Sequence, residues 1–205
     1  MERKTSAKLW KIPLATLIPI RVTERAQALA SEVLDIGDIA IDATAGKGRD
    51  TAFLAQSVGP TGWVHSFDIQ PEAIQSTRNL LEASGLIDQV TLHERSHAEL
   101  TAALPESHRG KISVALFNLG YLPGSDQKIV TQPESTAIAL QSALAELKSG
   151  GRLICVAYTG HPGGKEESDV VHKFAESAEK AGNTVEKVGY APHQPKPWIL
   201  VVSRR

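Results

Sequence analysis

Apolar positions along this chain alternate between two patterns. Short apolar runs at 39–41, 63–67, 90–94, 112–117 and 152–158 end in glycine, proline or small polar residues, which predicts buried strands. Between them, apolar residues recur every three or four positions, which predicts helices. A helix of about a dozen residues starts from an N-cap at Thr23 and ends before Gly37, with Ala26, Leu29, Ala30 and Val33 on one face. A second follows Gly46 and Gly48 with Phe53, Leu54 and Ala55, and a third starts at Pro71 and closes at Gly85. Two more are expected at about 133–148, stopped by Gly150 and Gly151, and at about 166–180, closed by Gly182. Strands at 184–190 and 198–203 come last, joined by a proline-rich loop with no helix between them.

Alternating strand and helix implies an α/β fold: a mostly parallel, seven-stranded, Rossmann-like sheet with helices on both faces. The last two strands, lacking a helix, are expected to pair as an antiparallel hairpin at the sheet edge. Residues 1–22 form an N-terminal extension in which Lys4, Lys8, Lys11 and Arg21 surround Trp10, Pro13 and Pro19. It reads as an extended segment, either packed on the surface or facing RNA. Residues 23–205 are expected to be one domain.

Composition narrows the class. The chain is 41% apolar and 22% charged with a net charge of -1, which argues against gripping nucleic acid by bulk charge but leaves room for a local basic patch. The single cysteine, Cys155, lies in an apolar run and reads as a core thiol, and no paired-cysteine zinc site can form. No metal is expected. No apolar stretch approaches the ~20 residues that span a bilayer, and the polar N-terminus lacks an apolar signal core. No membrane contact and a cytoplasmic location are therefore expected.

Candidate chemistry gathers at the carboxyl ends of the strands, where open α/β sheets bind ligands. The first strand ends in Asp42, followed by a turn containing Thr44, Gly46, Lys47 and Gly48 and a helix start with Asp50 and Thr51. The helix amides face whatever sits over the turn. Asp68, 26 residues after Asp42, ends the second strand and is placed to accept the hydroxyls of a ribose. A dinucleotide fingerprint needs a third glycine where Thr51 stands, and Asp50 would repel a pyrophosphate. A phosphate-binding P-loop is excluded because Lys47 is followed by Gly48 and not by Ser or Thr. Asp42 or Asp50 can instead receive the ammonium group of S-adenosylmethionine. The antiparallel ending is also the shape expected of a class I methyltransferase.

After the fourth strand, Asn118-Leu-Gly-Tyr121 looks like a variant of the Asn-Pro-Pro-Tyr motif of amino-methyltransferases. There an amide oxygen accepts a hydrogen bond from the target amine and an aromatic ring stacks on the substrate. The bland alternative is a turn with an Asn cap and a packing Tyr. His161, in the glycine-rich loop after the fifth strand, is a candidate acceptor for the amine proton.

The motifs Asp42-Ala-Thr-Ala-Gly-Lys-Gly-Arg-Asp-Thr51, Phe67-Asp-Ile-Gln70, Ser96-His97, Phe117-Asn-Leu-Gly-Tyr-Leu-Pro-Gly124 and Gly160-His-Pro-Gly-Gly164 together resemble the small "putative rRNA methylase" family. Its better-understood members methylate 5-aminomethyl-2-thiouridine at the tRNA wobble position. The resemblance, from about residue 20 onward, implies a lone class I domain that uses S-adenosylmethionine on the amine of that uridine. rRNA or a small-molecule amine is the alternative substrate, and a catalytically silent cofactor-binding module is a more distant one. It also implies that Lys47, Asp50, Asp68, Gln70, Ser96 and His97 fall on cofactor-contacting positions. Two departures stand out: Lys47 replaces an expected Asn, and Ser125-Asp126-Gln127 replaces a Gly-Asp-Lys pattern. Lys128, Lys165 and Lys196 are further candidate RNA contacts. A homodimer formed through the late loops is carried as an expectation.

Overall fold

A computed structural model describes residues 21–120, 131–160, 163–191 and 196–205. The 1–20 part of the extension, with Lys4, Lys8 and Lys11, therefore lies outside the described residues, as do Tyr121, the 125–127 departure, Lys128 and His161.

Seven strands form one sheet in the order β3-β2-β1-β4-β5-β7-β6. They are β1 (Ile39–Asp42), β2 (Trp63–Asp68), β3 (Val90–Glu94), β4 (Ile112–Leu119), β5 (Leu147–Ala157), β6 (Thr184–Val188) and β7 (Trp198–Ser203). The first five pair in parallel, and β7 runs antiparallel to both β5 and β6. The chain order reverses between β1 and β4, so a cleft opens above their carboxyl ends, where ligands bind in such sheets.

Helices cover both faces because alternate strand residues are apolar on both sides. Val114 and Leu116 of β4 point to one face, against Ala26 and Ala30 of α1 (Val22–Ser31), Leu54 and Ala55 of α2 (Arg49–Val58) and Leu81 of α3 (Pro71–Ala83). Ala115 and Phe117 point to the other. There they join Leu100 of α4 (Leu100–Ala103), Leu140 of α5 (Pro133–Glu146) and Phe174 of α6 (Gly164–Lys180). Cys155 is fully buried in that second core, and burial raises its thiol well above the ordinary range. A core role fits both facts.

Several sequence boundaries are corrected. α1 ends at Ser31 and is capped by Arg21, whose N–H donates to Glu24 Oε2 at 3.1 Å; Thr23 is a residue of the first turn. α5 ends at Glu146, and Gly150-Gly151 forms a bulge within β5 where a helix stop was expected. Gly150 sits at φ +76°, and a Cβ on Gly151 would lie 2.8 Å from the Ile112 carbonyl oxygen. Only glycines fit such a bulge. The link from β3 to β4 contains α4 and two 3-10 turns that the sequence pattern did not announce, since each is under five residues. The C-terminal pair is antiparallel as expected; its later strand, β7, is the inner one and β6 is the edge.

Beside the second core, His65 of β2, His93 of β3 and His108 of the 3-10 turn before β4 form a chain of imidazoles. His65 Nδ1 meets His93 Nε2 at 3.1 Å, and His65 Nε2 meets His108 Nδ1 at 2.8 Å. Each contact needs one proton, so neutral rings satisfy the chain completely.

A cleft built on an acidic floor

The turn after β1 is held in place from three sides. Ala45 N–H donates to the Phe67 carbonyl at 2.8 Å, and Gly48 N–H donates to the Ala45 carbonyl at 2.8 Å. Gly48, at φ +78°, is the N-cap of α2, and a Cβ there would stand 2.8 Å from Thr77 Cα. A side chain at that position would push α3 away from the turn.

Above the turn lies a cleft of about 590 Å³, within the roughly 300–1,000 Å³ typical of small-ligand sites. Its wall takes in Thr44, Gly46, Lys47 and Asp50 from the turn and Asp68 and Gln70 from the end of β2. Ser96 and His97 come from after β3, Asn118 from β4, and Tyr158 from after β5. Asp42, Gly48 and Thr51 stand beneath this surface and shape it.

Three carboxylates converge here. Asp42 is fully buried and accepts from Thr44 N–H at 3.1 Å and Thr51 Oγ1 at 2.6 Å. Burial first, and then the charge of Asp50, pushes its carboxyl up to about 7, against the two hydrogen bonds. Asp50 is also raised by burial, opposed by the donors Gln27 and Asn118. Asp68 accepts Gly46 N–H at 2.9 Å and Gln70 N–H at 3.0 Å, which fixes its carboxylate at the rim of the turn. A site with this charge suits a cation and opposes a pyrophosphate.

His97 is buried, and its Nδ1 lies 3.1 Å from the Ala43 carbonyl. A carbonyl can only accept, so Nδ1 carries the proton and Nε2 is the acceptor. Burial lowers its basicity, and a neutral ring results. Ser96 Oγ accepts from Ala98 N–H at 3.2 Å and caps the 3-10 turn that presents His97.

Asn118 is fixed twice. Its backbone N–H donates to Thr44 Oγ1 at 2.8 Å, and its Nδ2 donates to Asp50 Oδ2 at 2.5 Å. The second bond settles the orientation of the amide, because a carboxylate needs the NH₂ side. Asn118 Oδ1 is left buried, with no hydrogen-bond partner among the described residues. An orphaned acceptor on the cleft floor calls for a donor from a ligand. A cationic, amine-bearing cofactor and an amine substrate both fit this donor and acceptor set.

Sequence reasoning missed two contributors. Gln27 of α1 reaches over the cleft and donates to Asp50 Oδ1 at 2.6 Å. Thr23 and Gln27, four apart on α1, make a polar stripe beside the apolar one, which was the available signal. The other is Glu167 of α6, buried, which accepts from Thr131 Oγ1 and Thr136 Oγ1 at 2.7 Å each. Thr131 also accepts the Gly120 N–H at 2.9 Å, so both ends of the 121–130 segment are tied to one buried carboxylate.

Among the described residues, no group of three or more His, Cys, Asp or Glu is placed to hold a metal ion. No described helix is long and apolar enough to cross a membrane.

Comparison with known proteins gives consistent matches. Residues 64–204 match the family model described as "Putative rRNA methylase". The chloroplastic tRNA (mnm(5)s(2)U34)-methyltransferase of Arabidopsis thaliana is 41% identical over 162 residues, 75% of this chain. The chain spans 58% of that relative's length. A Clostridium thermocellum structure described in the family's own words superposes with a TM-score of 0.83 at 33% identity, covering 89% of this chain and 97% of that one. A Streptococcus mutans protein solved in complex with SAH gives 0.78 at 33% identity, covering 90% and 98%.

Proposed function

The chain belongs to the rRNA methylase family, and on that premise we propose that it is an S-adenosylmethionine-dependent N-methyltransferase. Its proposed substrate is the side-chain amine of 5-aminomethyl-2-thiouridine at the tRNA wobble position. The observation that carries this reading is Asn118 Oδ1, a buried acceptor at the carboxyl end of β4 with no hydrogen-bond partner among the described residues. Support for the cofactor comes from the acidic floor and from the SAH-bound relative. Support for the substrate comes from the plant relative, whose name specifies that nucleoside.

Bound S-adenosylmethionine supplies an electrophilic methyl group. Asp68 is the candidate acceptor for ribose hydroxyls, and Asp42 gives the negative field that favours a positively charged ligand. The residues of the chain then have to align an amine and keep it neutral. Asn118 Oδ1 accepts one N–H of that amine and aims its lone pair, a contribution from orientation and not from strong base catalysis. Tyr121 and His161, outside the described residues, keep the roles the sequence suggests: stacking and proton acceptance. The amine proton would pass to such an acceptor or to solvent when the methyl group is transferred.

The family's description favours rRNA as the second reading. Purified chain, methyl-labelled cofactor and RNA fractions from cells lacking the activity separate the two. Label is expected in the tRNA fraction, and it should be lost on RNase treatment. Label in rRNA, or in an RNase-resistant small molecule, would overturn the tRNA reading. Asn118→Ala is expected to lower kcat about 100-fold while leaving cofactor binding in place.

A further inference from the structure

We propose that Gln27 and Asp50 act together as positioning residues that lock the Asn118 carboxamide with its oxygen facing the cleft. The inference rests on the N-methyltransferase reading and goes beyond it by assigning a role to α1, which precedes the sheet. A carboxamide rotated by half a turn has nearly the same shape but presents two donors where the target amine also presents donors. An unrestrained Asn would therefore lose its function without moving its backbone.

The geometry removes that freedom. Asp50 Oδ2 takes the Asn118 NH₂ at 2.5 Å, and a carboxylate cannot donate to the other side of the amide. Gln27 Nε2 holds Asp50 Oδ1 at 2.6 Å, so the carboxylate plane is fixed between two amides. The Thr44 hydroxyl holds the Asn118 backbone at 2.8 Å. With both Asp50 oxygens engaged and Asn118 Oδ1 unpartnered among the described residues, Asp50 orients the acceptor. Asp42 is the carboxylate left to supply field to a cationic ligand. α1 closes the cleft through Gln27, so the site is complete only when this helix is docked.

Two conservative variants test the lock. Asp50→Asn keeps the shape but leaves a single acceptor oxygen for two amides, so the Asn118 carboxamide is no longer held in one orientation. Gln27→Met keeps the length and removes the donor. Expected results are a fall in kcat of about 100-fold for Asp50→Asn and about tenfold for Gln27→Met. Cofactor Kd, amine KM and the unfolding midpoint should stay close to those of the parent protein. A second readout needs no turnover: the Asn118 side-chain amide protons, assigned by their loss in Asn118→Asp and followed by NMR in the full chain. The proton facing Asp50 should exchange slowly and resonate downfield, and Asp50→Asn should abolish both properties. The proposal is overturned if that amide pair is unchanged in Asp50→Asn, or if kcat and cofactor affinity fall in step, which would make Asp50 a cofactor ligand. If the parent protein methylates no amine, the enzymatic reading fails, while the amide resonances still report whether the lock exists. Should Asp50→Asn fail to fold, Gln27→Met, at a half-buried position, decides on both readouts.

Discussion

Asp42 shows how much of the site is set by single residues. Its carboxyl is fully buried, and burial with the charge of Asp50 raises it to about 7, above the ordinary 3.8 of an unfolded chain. The folded state therefore holds this proton more tightly, and Asp42 lowers stability as pH rises from about 4 through 7. A cationic ligand favours the ionised form. Affinity for S-adenosylmethionine should thus weaken as pH is lowered from 8 to 6, and Asp42→Asn should flatten the dependence. Equilibrium dialysis at the two pH values checks this; equal affinity at both in the parent protein would contradict it. Asp50, Asp68 and Asn118 were legible as candidates because each lies at or beyond the carboxyl end of a strand inside a recognisable motif. Gln27 was not, because it reaches Asp50 from 23 positions earlier and only the docking of α1 makes them neighbours.

At the scale of elements, the glycine turn was legible and its reason became clearer. Gly48 is needed for a left-handed backbone and for the close approach of α3, where Thr77 Cα leaves no room for a Cβ. Gly48→Ala should cost about 1–3 kcal/mol of stability, read as a lower urea midpoint, and should weaken cofactor binding by displacing the turn. An unchanged midpoint would refute the packing argument. The Gly150-Gly151 pair misled the sequence reading because a helix stop and a strand bulge use the same glycines; only the Ile112 carbonyl nearby decides between them. The histidine chain was invisible in the sequence, as its members lie 28 and 43 residues apart. Burial, then His93 and His108, pushes His65 down to about 3. A histidine lowered in the fold is neutral there while the unfolded chain takes a proton below about 6.5, so its stabilisation is lost as pH falls through that point. Between pH 6 and 4, one such group contributes a slope of roughly 1 kcal/mol per pH unit. His65→Leu should remove this slope relative to the parent protein, measured by urea unfolding at several pH values. Parallel curves for the two proteins would contradict it.

For the whole molecule, topology was the most legible level. Seven strands, two helical layers and the antiparallel ending follow from where apolar runs and glycines fall, since each buried strand must be apolar on both faces. The proposed substrate rests on motif resemblance, because no pattern of burial encodes which amine enters a cleft. The charge distribution is compatible with the proposed RNA-borne amine. The net charge is near neutral, the floor is acidic, and Lys47, Arg49 and Arg95 are exposed around the cleft. If the proposed RNA substrate binds there, such a rim offers a few phosphate contacts without bulk attraction, and a modest loss of RNA affinity with added salt is the expected signature.

The most direct measurement is mass analysis of tRNA nucleosides from cells with the protein, without it, and with Asn118→Ala in its place. Cells with the active protein should contain the methylated 5-aminomethyl-2-thiouridine side chain. The other two strains should accumulate the same nucleoside one methyl group lighter, with the remaining tRNA and rRNA methylations unchanged. Identical wobble nucleosides in all three strains would contradict an N-methyltransferase acting at that position.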